Sequence, residues 1–164
     1  MNAVTPLPAA KEVRDMLADL LNRDVEVVTG GDMVDPTVEF GGLVGVYVDR
    51  RLQLSALVIM DLELAARTGA AIALIPSSGA ERAIGAGAMP DNLLENASEI
   101  LNVLAALFNG EGLPHLKLDS VYAPGEPLPA DVAKWVLAYV PRLDLDIDVK
   151  GYGSGRFSML VLGG

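Results

Sequence analysis

Two apolar runs, Val38 to Val48 and Leu52 to Met60, meet at the three-residue connection Asp49-Arg50-Arg51, and this juncture restricts the available folds more than any other stretch. Both runs are rich in Val, Leu and Ile, which suit a pleated, half-buried surface. So short a connection joins antiparallel neighbours, because a parallel pair needs a crossover of a dozen residues or more. Arg50 and Arg51, the lone basic doublet, therefore read as a hairpin turn and not as a binding patch. Asp61 follows at once and can cap a helix over Leu62 to Leu74, whose alanines suit close packing.

The rest of the chain mixes the same two periods. Val13, Met16, Leu17, Leu20 and Leu21 recur at helical spacing and predict a helix over Ala9 to Leu21, with Asn22 as its left-handed cap. Val25 to Val28 predicts a short strand, and Thr29 to Asp32 a turn. Pro76 to Pro90, rich in Ser and Gly, reads as a surface loop. Beyond a helix over residues 91–109, His115 to Tyr122 predicts a strand, Pro124 to Pro129 a turn, and Ala130 to Tyr139 a short helix carrying Trp135. Strands over Leu143 to Val149 and Phe157 to Leu162 flank the glycine-rich turn Gly151 to Gly155. The expected fold is α+β, a largely antiparallel sheet with helices packed against it, in a single domain over residues 1–164.

Composition narrows the function. A chain of 164 residues is long enough to bury a full core without staples. No apolar run reaches the ~18 residues that span a bilayer, and the amino-terminal stretch lacks the pattern of a secretory signal, so a cytoplasmic protein is expected. The absence of cysteine excludes disulfides, a thiol nucleophile and thiolate metal sites. A net charge of −10 repels phosphate backbones and the anionic face of a membrane, which argues against nucleic-acid and membrane partners.

The functional signal lies in residues 91–109. At about 100° per residue, Glu95, Glu99, Asn102 and Ala106 fall in one row, opposite an apolar stripe of Leu93, Ala97, Ile100, Leu104, Leu107 and Phe108. Asp91 or Asn92 is expected to cap this helix and Asn109-Gly110 to end it. Glu99 and Asn102 stand one turn apart and can lean toward one external point. A carboxamide offers a donor and an acceptor without net charge, so Asn102 can orient a water against a phosphoryl group that would repel a carboxylate. Glu99 suits a cationic side chain on a partner.

The stretch from Glu95 through Asn96, Ala97, Ser98, Glu99, Ile100 and Leu101 to Asn102, followed by Pro124, resembles the signature of the CheC/CheX-type chemotaxis phosphatases, and most closely that of CheX. That signature is Asp or Ser, three residues, Glu, two residues, Asn, and a proline about two dozen residues on. The order of elements is also similar. The resemblance implies a CheC/CheX-like fold and phosphatase activity on the aspartyl phosphate of a response-regulator (CheY-like) receiver domain. In these terms Glu99 pairs with a lysine of the regulator and Asn102 aligns the attacking water. Glu95 and Asn96 support the rim, and Ala106 adjoins the approaching partner. Mg2+ is expected on the regulator, with no cofactor or metal bound by this chain, and a homodimer is implied. Glu95 replaces the usual Asp or Ser, Ala106 a frequent glycine, and the proline comes one residue early. These departures motivate the alternative of a catalytically inactive CheX-like adaptor in a signalling or flagellar-switch-like assembly.

Other candidates carry less. Asp15, Asp19 and Asn22 repeat the spacing of the row, with shorter carboxylates and an asparagine at a helix end. Asp144, Asp146 and Asp148 alternate with Leu143, Leu145 and Ile147, which fits a two-faced strand better than a calcium loop. The Gly151 to Gly155 stretch precedes a strand, unlike phosphate-binding loops, which open a helix. His115 has no partner at ligand spacing, Ser77 and Ser78 lie in no nucleophile elbow, and Trp135 with Val132, Val136 and Tyr139 is expected to pack its helix down. A small-molecule pocket beneath Pro76 to Pro90 is a third reading without a nameable ligand. Strand edges near the carboxyl terminus are the expected dimer contact.

Overall fold

The computed structural model describes residues 5–38 and 40–162. The chain runs α1 (Ala10–Leu21), β1 (Val25–Thr29), β2 (Gly42–Val48), β3 (Leu54–Asp61), α2 (Leu62–Ile72), α3 (Ser77–Ala86) and α4 (Asp91–Leu104). A 3-10 turn (Ala105–Phe108) follows, then β4 (Lys117–Tyr122), α5 (Ala130–Ala133), β5 (Arg142–Val149) and β6 (Gly153–Val161). The α+β architecture expected from the sequence is the one present: all six strands form one antiparallel sheet in the order β1-β5-β6-β3-β2-β4.

That order reads the same when β1 and β4, β2 and β5, and β3 and β6 are exchanged. Each half supplies a helix, an edge strand and a hairpin, and the halves join where β3 pairs with β6. Helices α1 and α4 therefore hold equivalent places. The residues facing the helices, among them Tyr47, Val58, Met60, Ile147, Phe157 and Met159, are buried with Val13 and Leu17 of α1 and Ile100 and Leu104 of α4. Val44, Val46, Leu57, Ile59 and Leu160 point to the opposite face, under Val34, Val132 and Val136.

Local chemistry explains the joints. Asp49 closes the β2–β3 turn, its carboxylate accepting from the backbone N–H of Arg51 and Gln53 at 2.8 and 3.0 Å. Asp61 caps α2 by accepting from Leu64 N–H at 2.8 Å, and Asn22 ends α1 in the left-handed conformation at φ 52°, ψ 46°. Asp144, Asp146 and Asp148 lie on the strand face opposite buried Leu145, Ile147 and Val149, as a two-faced strand requires.

Several boundaries differ from expectation. The segment read as a surface loop contains α3, because Ala80 and Ala83 pack against Ala66 and Ala70 of α2 and Leu93 of α4. Two internal glycines, each about 1 kcal/mol poorer than alanine in a helix, hid it from propensity. The run placed from Val38 begins as a strand only at Gly42; Glu39 lies outside the described residues, as do residues 1–4 and 163–164. Residues Gly153 to Gly155 belong to β6: a Cβ on Gly155 would meet Leu64 atoms at 2.5 to 2.7 Å, so the glycine serves close passage of strand under helix. The helix over Ala130 to Tyr139 is regular only to Ala133; Val132 and Val136 are buried, but Tyr139 is 95% exposed and packs nothing down. The carboxyl-terminal strands β5 and β6 are interior, each paired on both sides, so they offer no edge for a dimer. The edges are β1 and β4.

Candidate functional site

Helix α4 starts after Pro90, whose φ of −65° and extended ψ set the entry, and neither Asp91 nor Asn92 caps it with a side chain. Its inner face buries Leu93, Ala97, Ile100, Leu101 and Leu104. Three contacts fix its position. A Cβ on Gly69 of α2 would lie 2.7 Å from the Leu93 carbonyl oxygen, so the two helices touch backbone to backbone there. Beside that contact Asn96 Nδ2 donates to the Gly69 carbonyl at 3.0 Å. Farther along, the buried Tyr47 hydroxyl donates to the Leu101 carbonyl, and its ring meets that of Phe108 at 5.1 Å between centroids.

The Tyr47 bond lies where the helix ends. Ala105 N–H turns to the carbonyls of Asn102 and Val103 and not to that of Leu101, whose oxygen accepts from Tyr47. The backbone tightens into the 3-10 turn Ala105–Phe108, and Asn109, extended at ψ 143°, ties off the element by exchanging two side-chain hydrogen bonds with the Leu116 backbone at 2.8 and 2.9 Å. Asn109-Gly110 therefore ends the helical segment through a side-chain clamp and not through a left-handed cap. Burial pushes the Tyr47 phenol far above its ordinary range, so it stays a donor at any working pH.

The outer row is free. Glu95, Glu99, Asn102 and Ala106 are all exposed, and among the described residues the side chains of Glu95, Glu99 and Asn102 make no hydrogen bond or ion pair. Glu99 and Asn102 share a face at helical spacing, where Cβ atoms lie about 5–6 Å apart. Asn96 differs: it is half-buried, with its amide nitrogen engaged by Gly69, and acts first as a strut between α2 and α4. Pro124 lies off this helix, beside Gly125, whose backbone nitrogen approaches Gly41 on the far side of β2.

The equivalent row on α1 is occupied. Lys11 Nζ reaches Asp15 at 2.6 Å and Arg14 reaches it at 3.1 Å. The Lys11 hydrogen bond holds the Asp15 carboxyl below its ordinary range. Asn22 takes the left-handed cap, leaving Asp19 alone. Among the described residues no group of three or more His, Cys, Asp or Glu side chains could hold a metal ion, and no helix is long and apolar enough to cross a membrane.

The six-stranded antiparallel sheet of palindromic order is similar in fold to solved FliM middle domains. The FliM middle domain of H. pylori superposes with a TM-score of 0.60 at 10% identity, covering 93% of this chain and 84% of that one. A chain of the H. pylori FliG–FliM complex gives 0.58 at 11% identity, over 92% of this chain and 84% of that one. The CheX–CheY–BeF3–Mg2+ complex of Borrelia burgdorferi matches more loosely, at 0.49 with 12% identity over 90% of each chain, and adds nothing to the fold assignment. No family model matches the chain, and no curated protein matches it in sequence. At these identities the likeness defines the fold alone.

Proposed function

We propose that this protein docks the outer face of α4 on a phosphorylated response-regulator receiver domain and promotes hydrolysis of its aspartyl phosphate. The observation that carries the reading is the pair Glu99 and Asn102, exposed and without internal partners on a helix gripped only from its buried side. Water attacks phosphorus, the bond from phosphorus to the aspartyl oxygen breaks, and the carboxylate leaves as inorganic phosphate forms. The transferring group needs little covalent help, so positioning the water in line is most of what a protein can add. Asn102 would hold that water by its carboxamide, and Glu99 would pair with a lysine of the receiver. Mg2+ belongs to the receiver in this scheme, and the setting is cytoplasmic. The test follows the decay of phosphorylated receivers from the same organism. Asn102→Ala is expected to remove about 10²- to 10³-fold of the acceleration, and unchanged decay in the presence of wild-type protein overturns the reading.

A second reading is favoured by the fold matches themselves. Chains of similar fold occur in the FliM–SpeE and FliG–FliM complexes of H. pylori, which supports reading the fold as a docking platform here. An adaptor built on it would bind its partner equally well after Asn102→Ala and leave phosphate turnover untouched. Binding and turnover measured on the same variant separate the two.

A further inference from the structure

Helix α3, within the stretch Pro76 to Pro90, forms one wall of a groove. On α3, Gly79, Arg82, Ala83 and Ala86 recur at helical spacing and face a groove whose opposite wall is Ile75, Met89 and Leu93. The groove has a volume of about 560 Å³, within the ~300–1,000 Å³ of typical small-ligand sites. It is open because the helix stripe facing it carries nothing larger than a methyl group except Arg82. One leucine at any of those positions would occupy part of it.

Arg82 is the one charged side chain lining this groove. It is exposed and makes no ion pair among the described residues, although the chain carries 22 acidic residues against 12 basic ones. At the same rim α4 begins without a side-chain cap, so its first amides keep their donors. A groove with apolar walls, lined also by the carboxamide of Asn92 and by one free guanidinium as its only charge, fits a ligand with an apolar body and a single anionic head. A cationic head would meet Arg82 with like charge, and a neutral one would forgo the charge-assisted hydrogen bonds that a carboxylate makes.

We infer that this groove is a binding site for a small amphipathic carboxylate, its alkyl chain against Ala83, Ala86, Met89 and Leu93 and its head at Arg82. The site is separate from the Glu99–Asn102 row and stands or falls independently of the phosphatase reading. Leu93 lines the groove and also meets Gly69 at the base of α4.

The probes are octanoate, 1-octanol, octylamine and acetate, titrated into the full chain and followed by amide NMR shifts and calorimetry. Octanoate is expected to bind with shifts centred on α3 and the start of α4, at least tenfold more tightly than octanol, octylamine or acetate. Arg82→Gln should weaken octanoate about tenfold and leave octanol unchanged. Ala86→Trp, at an exposed position, should fill the groove and abolish binding while the melting temperature holds. No octanoate binding at millimolar concentration, equal binding of octanol and octanoate, or shifts outside α3 and α4 would each overturn the inference. Binding that survives Ala86→Trp would do the same.

Discussion

The same substitution, glycine to alanine, is expected to act in opposite directions at two helical positions, and the difference tests how α4 is held. In α3, Gly85 has open space around the position of a Cβ, so alanine there only improves the helix. The gain is about 0.5–1 kcal/mol. In α2, an alanine Cβ at Gly69 would sit 2.7 Å from the Leu93 carbonyl oxygen, 3.5 Å from its carbon and 3.6 Å from Ala97 nitrogen. All three are helix backbone, which cannot swing aside as a side-chain end can, so α2 and α4 must part by several tenths of an ångström. Overpacking of this kind costs about 1–3 kcal/mol, against which the propensity gain offsets about 1 kcal/mol. The net loss is about 0–2 kcal/mol, larger if the 3.0 Å bond from Asn96 to Gly69 lengthens as the helices separate. For a chain of this size each kcal/mol moves the melting temperature by about 2–4 °C. Thermal and urea unfolding of both variants beside wild type is the assay. A Gly69→Ala protein stabilised as much as the Gly85→Ala protein would refute the backbone contact as the grip on α4.

Tyr47→Phe keeps the ring against Phe108 but leaves the buried Leu101 carbonyl without its donor. A loss of about 1–3 kcal/mol in urea unfolding is expected, with NMR shifts concentrated at the turn after Asn102. Asp61, pushed up to about 6 by burial, binds a proton in the folded state that the unfolded chain, near 4, releases. Its contribution to stability therefore rises as pH falls from about 6 to about 4 and is absent above that window. Asp61→Asn, which retains a capping acceptor, should stabilise the protein above pH 6 and remove this component from the pH dependence of the urea midpoint.

What the sequence discloses is what neighbouring residues decide. Asp61 before an apolar helix, Asn22 after one, and Asp49 between two strand runs each act within a few positions, and all three hold their expected places. The polar row was legible for the same reason, since a 3.6-residue period sorts Glu95, Glu99 and Asn102 from Ile100 and Leu104 without knowledge of the fold. Contacts between distant residues were not. Helix α3 exists because Ala80 and Ala83 find Ala66 and Ala70. The interior rank of β5 and β6 depends on pairings with β1 and β3, and nothing within their own runs distinguishes a central strand from an edge. The end of α4 coincides with a hydrogen bond from Tyr47, 54 residues before Leu101. Asn96, expected at the rim, lies about a quarter turn off the row at about 100° per residue and meets Gly69 instead.

The palindromic sheet offers two equivalent helices for a polar row, and the chain treats them differently in a way that bears on function. On α1 the carboxylate of Asp15 is matched by Lys11 and Arg14, and the asparagine serves the backbone as a cap. Those groups contribute to the helix that carries them, so removing them alters stability. On α4 every grip is on the inner side, through Gly69, Asn96, Tyr47 and Phe108, and the outer side chains have no internal role. An exposed, unpaired surface group contributes little to folding, typically within about 0.5 kcal/mol. Glu99 and Asn102 can therefore be replaced without cost to the fold, and any loss of activity or of partner binding that follows must arise at the interface they form with another molecule.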